Sequence, residues 1–289
     1  MGTTTNRVAR TVCAAVLLLT MTAAGATASA AGATDDGPVL CDGILQGEVV
    51  GDVRVPAGIS CTVSMSEITG DLLVDRRASL RLQRSTVHGA IVSAGSLEVR
   101  ETTVHGRTWL DRVGIMRADY STLSGPVRGE ADFVHLADVT LGGSLNVAGT
   151  HTTTLRRVAV DGWINVPSRS YGPTTLSTVT ARGLTVKAGG GVSLCDVALE
   201  EHLIVRNHDR VHIGLPLYTV NSCPLHPDAF KVTVGGSARF EGSTQVLLHG
   251  IDVAEYLVCV DNAQVDVMSG SLGGRPLVTA GLGRLGQCR

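Results

Sequence analysis

The densest group of side chains able to bind a ligand or exchange protons lies between residues 208 and 228. His208, Asp209 and His212 precede a proline-rich stretch, and His226 and Asp228 fall near its end. A histidine and a carboxylate that meet perturb each other's proton affinity, as acid–base pairs do. If the stretch folds back, His208 or His212 meets Asp228, so we predict a ligand-binding site at His208, His212, His226 and Asp228. Surface polar residues on a turn and a loop are the alternative interpretation.

Histidine–glycine pairs recur along the chain, beginning at His88, His105 and His249. The first two are expected to occupy equivalent places in adjacent repeats, where their rings could stack or jointly hold a metal ion. Two histidines without a carboxylate or thiolate partner make an incomplete site. Polar residues beside turn glycines are the simpler interpretation, and the sequence predicts no metal site, no cofactor and no catalytic residue.

An apolar repeat of about 19 residues predicts the elements that position these side chains. In the unit that begins at Gly70, apolar residues two apart alternate with polar ones, and a further apolar residue follows at Val87. This alternation is typical of strands with one buried face, and a fixed period of this length marks a stacked repeat. The first apolar place recurs at Val53, Leu72, Ile91, Thr108, Val127, Leu145, Ile164, Leu184, Leu203, Val232 and Ile251.

The repeat predicts an all-β fold, a right-handed parallel β-helix (solenoid) of about eleven coils over residues 51–289. Each coil is expected to contain two clear short strands and a third, abbreviated one. A single coil cannot bury its apolar face, whereas stacked coils share a continuous core. An antiparallel sandwich or barrel is the alternative. Its hairpins favour Asn-Gly or Asp-Gly turns, and Asp42-Gly43 and Asp161-Gly162 do not recur at hairpin spacing.

One interval of the repeat, from Leu203 to Val232, is ten residues longer than its neighbours. The extra segment lies near 214–230 and contains prolines at positions 216, 224 and 227. Proline cannot donate to a strand ladder, so we predict a loop that leaves the solenoid here. Long loops on rigid scaffolds often carry function.

The residue after each first apolar place is expected to point outward. Asn146 and Asn165 are predicted to stack as a short amide ladder, and Leu73, Val92 and Trp109 to form a small apolar patch. An ice-binding solenoid is expected to present a flat, regular threonine array, and the irregular outward row argues against one. The row reads Arg54, Leu73, Val92, Trp109, Arg128, Asn146, Asn165, Thr185, Ile204, Thr233 and Asp252.

A second outward row is predicted between the second-strand core residues, at Arg81, Glu98, Arg117 and His135. Opposite charges directly across neighbouring strands stabilise a sheet. The alternating signs therefore favour a structural charge ladder, although a catalytic carboxylate flanked by arginines has the same pattern.

Residues 1–30 have the pattern of a secretory signal peptide. Arg7 and Arg10 precede an apolar core at 14–19, and Ala28-Ser29-Ala30 matches a cleavage site. We therefore predict a secreted, extracellular chain that begins at Ala31, with an N-terminal segment and cap over 31–50. No later apolar run approaches the length of about 18 residues that a membrane span needs, so no span is predicted.

Six cysteines follow the predicted signal peptide, and an even number in an exported chain indicates disulfides. Cysteines about one coil apart lie on neighbouring strands, within the reach of a disulfide. The chain has no C-x-x-C or Cys/His spacing, so a reduced, metal-binding set is the weaker interpretation. The predicted pairs are Cys41–Cys61, Cys195–Cys223 and Cys259–Cys288.

Composition narrows the classes of partner. The formal net charge is -2 and no basic block is present, so no nucleic-acid partner is predicted. Aromatic residues make up only 3% of the chain against 35 glycines, which argues against an extensive stacking surface for bases or sugars. Polygalacturonase motifs such as Asn-Thr-Asp and Gly-His-Gly are missing, and a shared fold alone supplies no activity.

The chain resembles a group of exported, uncharacterised actinobacterial proteins with glycine-punctuated right-handed β-helix repeats. The resemblance lies in the opening Cys41-Asp42-Gly43, the GDV and GDL turns at 51 and 70, and the ending Gly286-Gln287-Cys288. It covers the whole mature chain and implies the same solenoid fold. No activity comes with it.

These patterns predict a non-enzymatic secreted β-solenoid that acts as an extracellular structural or interaction module. The expected partners are a cell-wall or extracellular glycan or a surface protein. The alternative is a carbohydrate-binding or polysaccharide-degrading protein of the pectate-lyase-like β-helix type. Self-association through the unpaired strand edges of an open solenoid end is a third hypothesis.

Overall fold

A computed structural model describes residues 37–167, 172–214, 231–267, 271–272, 275–276 and 278–288. The predicted signal peptide, residues 1–30, lies outside this range. The described residues form strands and no helix. The first thirteen strands are β1 (Val39–Leu40), β2 (Ile44–Val49), β3 (Val53–Val55), β4 (Ser60–Ile68), β5 (Leu72–Val74), β6 (Ser79–Gln83), β7 (Thr86–Val87), β8 (Ile91–Ser93), β9 (Ser96–Arg100), β10 (Thr103–Val104), β11 (Thr108–Leu123), β12 (Val127–Leu141) and β13 (Leu145–Val166). The others are β14 (Thr174–Leu199), β15 (Leu203–Ile213), β16 (Val232–Val234), β17 (Ala238–Glu241), β18 (Gln245–Leu248), β19 (Ile251–Val253), β20 (Tyr256–Val260), β21 (Gln264–Val267), β22 (Ser271–Leu272), β23 (Arg275–Pro276), β24 (Val278–Ala280) and β25 (Gly283–Gly286).

Strands from successive coils pair in parallel and in register, so the structure confirms the predicted parallel β-solenoid. Each coil contributes to three rows of strands. The first row contains Val53, Leu72 and Ile91. The second row contains Val63, Leu82 and Val99. The third row contains Ile68, Val87 and Val104. Among the strands that the structure describes, β22 and β23 alone pair antiparallel, outside these rows.

The core is a column of aliphatic side chains that the three rows point inward. In the coil that begins at Leu72, the residues Leu72, Leu80, Leu82 and Val87 are completely buried. Burying one such side chain contributes about 1.5–3 kcal/mol, and each coil covers the open face of the coil before it. The two-residue alternation in the sequence therefore directly sets which side chains are internal.

A single residue in the left-handed region turns the chain from the second row to the third. Each corner residue has a positive φ of 46–57°, which costs a non-glycine residue about 1–2 kcal/mol, so the packing on both sides must hold it there. Eight successive coils have this corner, at Met65, Arg84, Glu101, Tyr120, Asp138, Arg157, Thr178 and Asp196.

Buried hydroxyl groups form a ladder of hydrogen bonds between successive coils, next to this corner and inside the core. The backbone N–H of Ser66 donates to Ser85 Oγ at 3.2 Å, that of Ser85 to Thr102 Oγ1 at 3.3 Å, and that of Thr102 to Ser121 Oγ at 3.2 Å. The Ser85 hydroxyl in turn donates to the carbonyl of Gln83 at 2.8 Å. Hydroxyls therefore satisfy backbone groups that the corner takes out of the strand ladder.

After the lengthened interval, the residues that the sequence assigned to the first row lie in a different row of the structure. Leu203 pairs with Ala238, 35 residues later, and not with Val232. Val232 and Ile251 belong to the third row, where Val232 follows Val197. The prediction was wrong here because third-row strands have the same alternation of inward and outward residues as first-row strands.

Additional residues separate the second and third rows twice at the same corner. The first follows Ile213 in the second row and ends before Val232 in the third, which confirms that the repeat is interrupted there. The second, which the sequence analysis missed, lies between Val267 and Val278 and contains β22 and β23. Both insertions replace the one-residue corner, so the rows of strands continue unbroken on either side.

Two of the three predicted disulfides are confirmed. Cys41–Cys61 joins positions 20 residues apart with a Cα–Cα distance of 5.7 Å, and Cys259–Cys288 joins positions 29 residues apart at 5.2 Å. Cys195 is buried and disulfide-bonded, whereas Cys223 lies outside the described residues, so the third pair stays a prediction. The two confirmed bonds lie near opposite ends of the solenoid.

We expect Ser85→Ala to lower the free energy of unfolding by about 1–3 kcal/mol, because it leaves the buried N–H of Ser66 without an acceptor. Ser79→Ala is the matched control, since Ser79 is exposed on the preceding strand, and it should change stability by less than about 0.5 kcal/mol. Urea denaturation followed by circular dichroism measures both. Equal stability of the two variants would contradict the buried hydroxyl ladder.

Candidate functional site

The outward side chains of the first row form a strip along one face of the solenoid. The structure confirms the predicted row from Arg54 to Ile204, but after Ile204 the row continues with Arg239, Val258 and Leu285. Thr233 and Asp252 instead face outward from the third row. Leu73, Val92 and Trp109 lie on adjacent rungs as predicted.

A groove opens on this strip beside Trp109, the "Trp109 groove". Trp109 is 48% exposed, and its direct neighbour on the next rung is the exposed Arg128. The groove has a volume of about 490 Å³, within the range of small-molecule sites. Its lining residues are Trp109, Leu110, Asp111, Arg112, Arg128, Gly129, Glu130, Asn146, Ala148 and Pro167.

Irregular strand pairing creates this groove. The register between β11 and β12 shifts between Leu110 and Val113, and the register between β12 and β13 shifts between Ala131 and Phe133. Gly129 lies just before both shifts on β12 and has a φ of +129°, and a Cβ there would overlap the Leu110 carbonyl. Only glycine permits this close approach of two backbones, and such bulges often adjoin functional sites.

The acidic side chains around the groove each lie near an arginine. Asp111 lies 3.4 Å from Arg76, and Glu130 lies 3.7 Å from Arg112. Within the part of the chain that the structure describes, Arg128 makes no ion pair. On the next two rungs, Asn165 Nδ2 donates to Asn146 Oδ1 at 3.3 Å, which confirms the predicted amide ladder. The groove thus combines an exposed indole, one unpaired cation and an oriented amide.

The structure separates the histidines of the predicted 208–228 site. His208 is only 3% exposed and faces inward at the turn between the first and second rows, with Nδ1 3.2 Å from the Gly190 carbonyl. His212 faces outward from the second row, between Ser193 and Leu247. His226 and Asp228 lie outside the described residues, so their part of the site stays a prediction.

His208 belongs to a buried polar ladder at that turn. Its backbone N–H donates to Ser243 Oγ at 3.4 Å, and the N–H of Ser243 donates to Asn262 Oδ1 at 2.9 Å. The N–H of Asn262 donates to Gln287 Oε1 at 2.8 Å. Burial lowers the pKa of the His208 imidazole, and burial likewise lowers that of His212, with the charges of Arg210 and His249 adding to the effect. His208 is therefore placed as a member of the core ladder.

The other histidine and charge patterns are resolved as contacts between coils. The His88 and His105 rings stack with centroids 5.1 Å apart, and His88 Nε2 lies 2.9 Å from Glu67. His249 follows the second row and so is not equivalent to them. Among the described residues, no group of three or more His, Cys, Asp or Glu side chains is placed to hold a metal ion.

The predicted charge row on the second face is present. Arg81 Nε lies 2.9 Å from Glu98, while Arg117 Nε donates to Asp119 at 2.6 Å on its own strand. Burial lowers the pKa of His135, which pairs with Arg117 on the next rung. Of this row, Arg81 and Glu98 pair with each other, whereas Arg117 pairs with Asp119 outside it.

A regular threonine column, which the sequence analysis did not find, lies on the third face. Thr86, Thr103, Thr122 and Thr140 stack on successive rungs, and Ala159 follows. The irregular first row therefore has no threonine array, whereas the third face has this single column. The column is one residue wide, and charged corner residues such as Arg84 and Glu101 run beside it, so it lacks the width of a flat array.

No protein-family model, curated protein or solved structure matches the chain. A helix able to span a membrane is absent from the described residues. The groove, which sequence reasoning reached only through the exposed Trp109 patch, is therefore the candidate site on the strength of its geometry. The sequence held a further signal of this groove. The repeat from Val127 to Leu145 is only 18 residues long, and the bulge lies within this interval.

Gly129→Ala is expected to destabilise the fold by more than about 1 kcal/mol, because the new Cβ overlaps the Leu110 carbonyl at a positive φ. Gly114→Ala is the control, since its Cβ would meet only Ser96 Oγ at 3.6 Å. Thermal unfolding of both variants measures the difference. A Gly129→Ala protein as stable as the control would argue against the bulge.

Acidification should destabilise the fold partly through His208. An unfolded histidine binds a proton near pH 6.5, whereas the folded His208 has a lowered pKa, so the unfolded state binds more protons as the pH falls. Stability is then complete above about pH 6.5 and decreases below it, by at most about 1.4 kcal/mol per pH unit for one group. His208→Asn should reduce this dependence in urea titrations between pH 7 and 5.5. An unchanged slope would contradict the assignment.

Proposed function

We propose that the protein is a non-enzymatic, extracellular β-solenoid that acts as an interaction module and binds through the face that carries the Trp109 groove. The open groove on a rigid sheet face is the observation that supports this proposal. Exposed aromatic side chains on such a surface are typical of binding sites, because they bury a large area on contact.

An extracellular location is part of the proposal. Cys41–Cys61 and Cys259–Cys288 are disulfide-bonded, and such bonds persist in oxidising compartments. The signal-peptide pattern of residues 1–30 and the resemblance to exported actinobacterial β-helix proteins point the same way. Disulfides near both ends of the solenoid also stabilise the terminal coils of a protein outside the cell.

Binding is favoured over catalysis by the state of the groove's carboxylates. Asp111 faces Arg76 and Glu130 faces Arg112, the arrangement of structural ion pairs. A glycoside hydrolase instead uses a pair of carboxyl groups that flank the scissile bond. Carbohydrate binding without cleavage is the second candidate function, and the exposed indole of Trp109 favours it.

A combined screen tests the proposal. Mature protein from Ala31 with intact disulfides is applied to a glycan array and a panel of extracellular proteins, and soluble polysaccharides are assayed for release of reducing ends. We expect retention by at least one partner with no increase in reducing ends. Cleavage of any polysaccharide above the level of a heat-denatured control would contradict the non-enzymatic assignment.

The predicted histidine site has its own arm in this screen. A variant with alanine at His212, His226 and Asp228, which leaves the buried His208 in place, is compared with a variant that carries Trp109→Ala, and circular dichroism checks that both are folded. If binding depends on the groove, the first variant keeps its partner and the second loses it. The opposite result would place the site at the segment near 214–230.

A further inference from the structure

We infer that the Trp109 groove binds a linear, carboxylated polysaccharide whose chain lies along the solenoid axis. Trp109 stacks on a sugar ring, Arg128 pairs with a carboxylate and Asn146 binds hydroxyl groups. This inference rests on the proposed interaction function and names the ligand class of the same face.

Trp109 provides the stacking platform. Its side chain projects from a first-row strand and is 48% exposed, with the half-buried Val92 beside it on the previous rung. The indole is therefore flanked by Val92 on one rung and by Arg128 on the next, and its outer part is open to solvent. A sugar ring presents an apolar C–H face that such a surface can cover, while its rim stays polar. Aromatic side chains suit this contact because they lose little conformational freedom on binding.

Arg128 selects for negative charge. It lies directly beside Trp109, one rung or about 4.8 Å along the axis, and it is exposed. The acidic residues of the groove are paired with Arg76 and Arg112, so their charges do not neutralise Arg128. The planar guanidinium group matches a carboxylate through two parallel hydrogen bonds.

Asn146 supplies an oriented polar group on the following rung. Arg128 pairs with Asn146, and Asn165 Nδ2 donates to Asn146 Oδ1. Because Asn146 Oδ1 accepts this bond, the Oδ1 end of the Asn146 amide is turned toward Asn165. The Asn146 N–H groups donate to no atom of the described residues and are left for ligand hydroxyls.

The three groups follow one another in a straight line. Trp109, Arg128 and Asn146 lie on consecutive rungs, so the line is about 10 Å long and parallel to the solenoid axis. A single sugar does not cover this length, whereas neighbouring rings of an extended chain do. The groove is open at its surface, which suits a polymer that enters from the side.

Binding of a uronic-acid oligosaccharide and of its fully methyl-esterified form, measured by calorimetry on the mature disulfide-bonded protein, tests this inference. The acidic form should bind more tightly, and its advantage should shrink as salt is raised, since screening weakens the Arg128 contact. Trp109→Ala should weaken binding of both forms at least about ten-fold. Trp109→Phe, which keeps a ring, should lose less.

Arg128→Gln should remove the preference for the acidic form while leaving the binding of the ester nearly unchanged. Arg239→Gln is the matched control, because Arg239 occupies the same outward row away from the groove. Tyr256→Ala is the control for loss of an exposed aromatic. Circular dichroism confirms that each variant is folded, and Trp109→Phe carries the test if Trp109→Ala is not.

The outcomes separate this inference from the proposed function. Equal affinity of wild type and both groove variants, or no binding of either oligosaccharide, overturns the groove assignment, while a protein partner found in the screen still supports an interaction module. Cleavage of the oligosaccharide that Trp109→Ala reduces would overturn the non-enzymatic function and leave the groove as the binding site.

Discussion

The in-register parallel pairing of successive coils is the constraint on which the rest of the structure depends. No coil can bury its own inward aliphatic residues, so each relies on the next to cover Leu72, Leu82 or Val87. Between bulges, one residue in register with the neighbouring coil places the rest of its strand in register too. Side chains of the same type therefore meet at the spacing of adjacent strands all along the molecule.

Polar ladders follow from the same constraint. The hydroxyls of Ser85 and Thr102 accept hydrogen bonds from the coil before, and the amide of Asn165 donates to that of Asn146. On the surface, Arg81 and Glu98 pair across the second face. Each exposed ion pair contributes little alone, and the buried ladders contribute more because their loss leaves backbone groups unpaired in the core.

The candidate site arises where the regular stacking is disturbed. The bulges beside Gly129 take strands out of simple register and open the surface next to Trp109. Grooves of similar volume lie beside Ala78 and beside Ala159, but the groove at Trp109 is the one that an exposed indole lines. A rigid scaffold with a local irregularity at this place can hold an indole, a guanidinium group and an amide in a line without the entropy cost of ordering a loop. This geometry is the basis for assigning a ligand to the groove.

The sequence alone determined the solenoid, its period, the outward strip from Arg54 to Ile204 and two of the disulfides, because strand alternation and coil length are local properties. It did not determine the phase beyond Leu203, since Val232 in the third row has the same alternation as a first-row residue. It also placed His208 at the surface, whereas the structure buries it in the same place as Ser243. Only the tertiary structure decided these points. A residue at a corner can face the core or the solvent with the same local sequence, and the packing of the neighbouring coil determines which of the two it does.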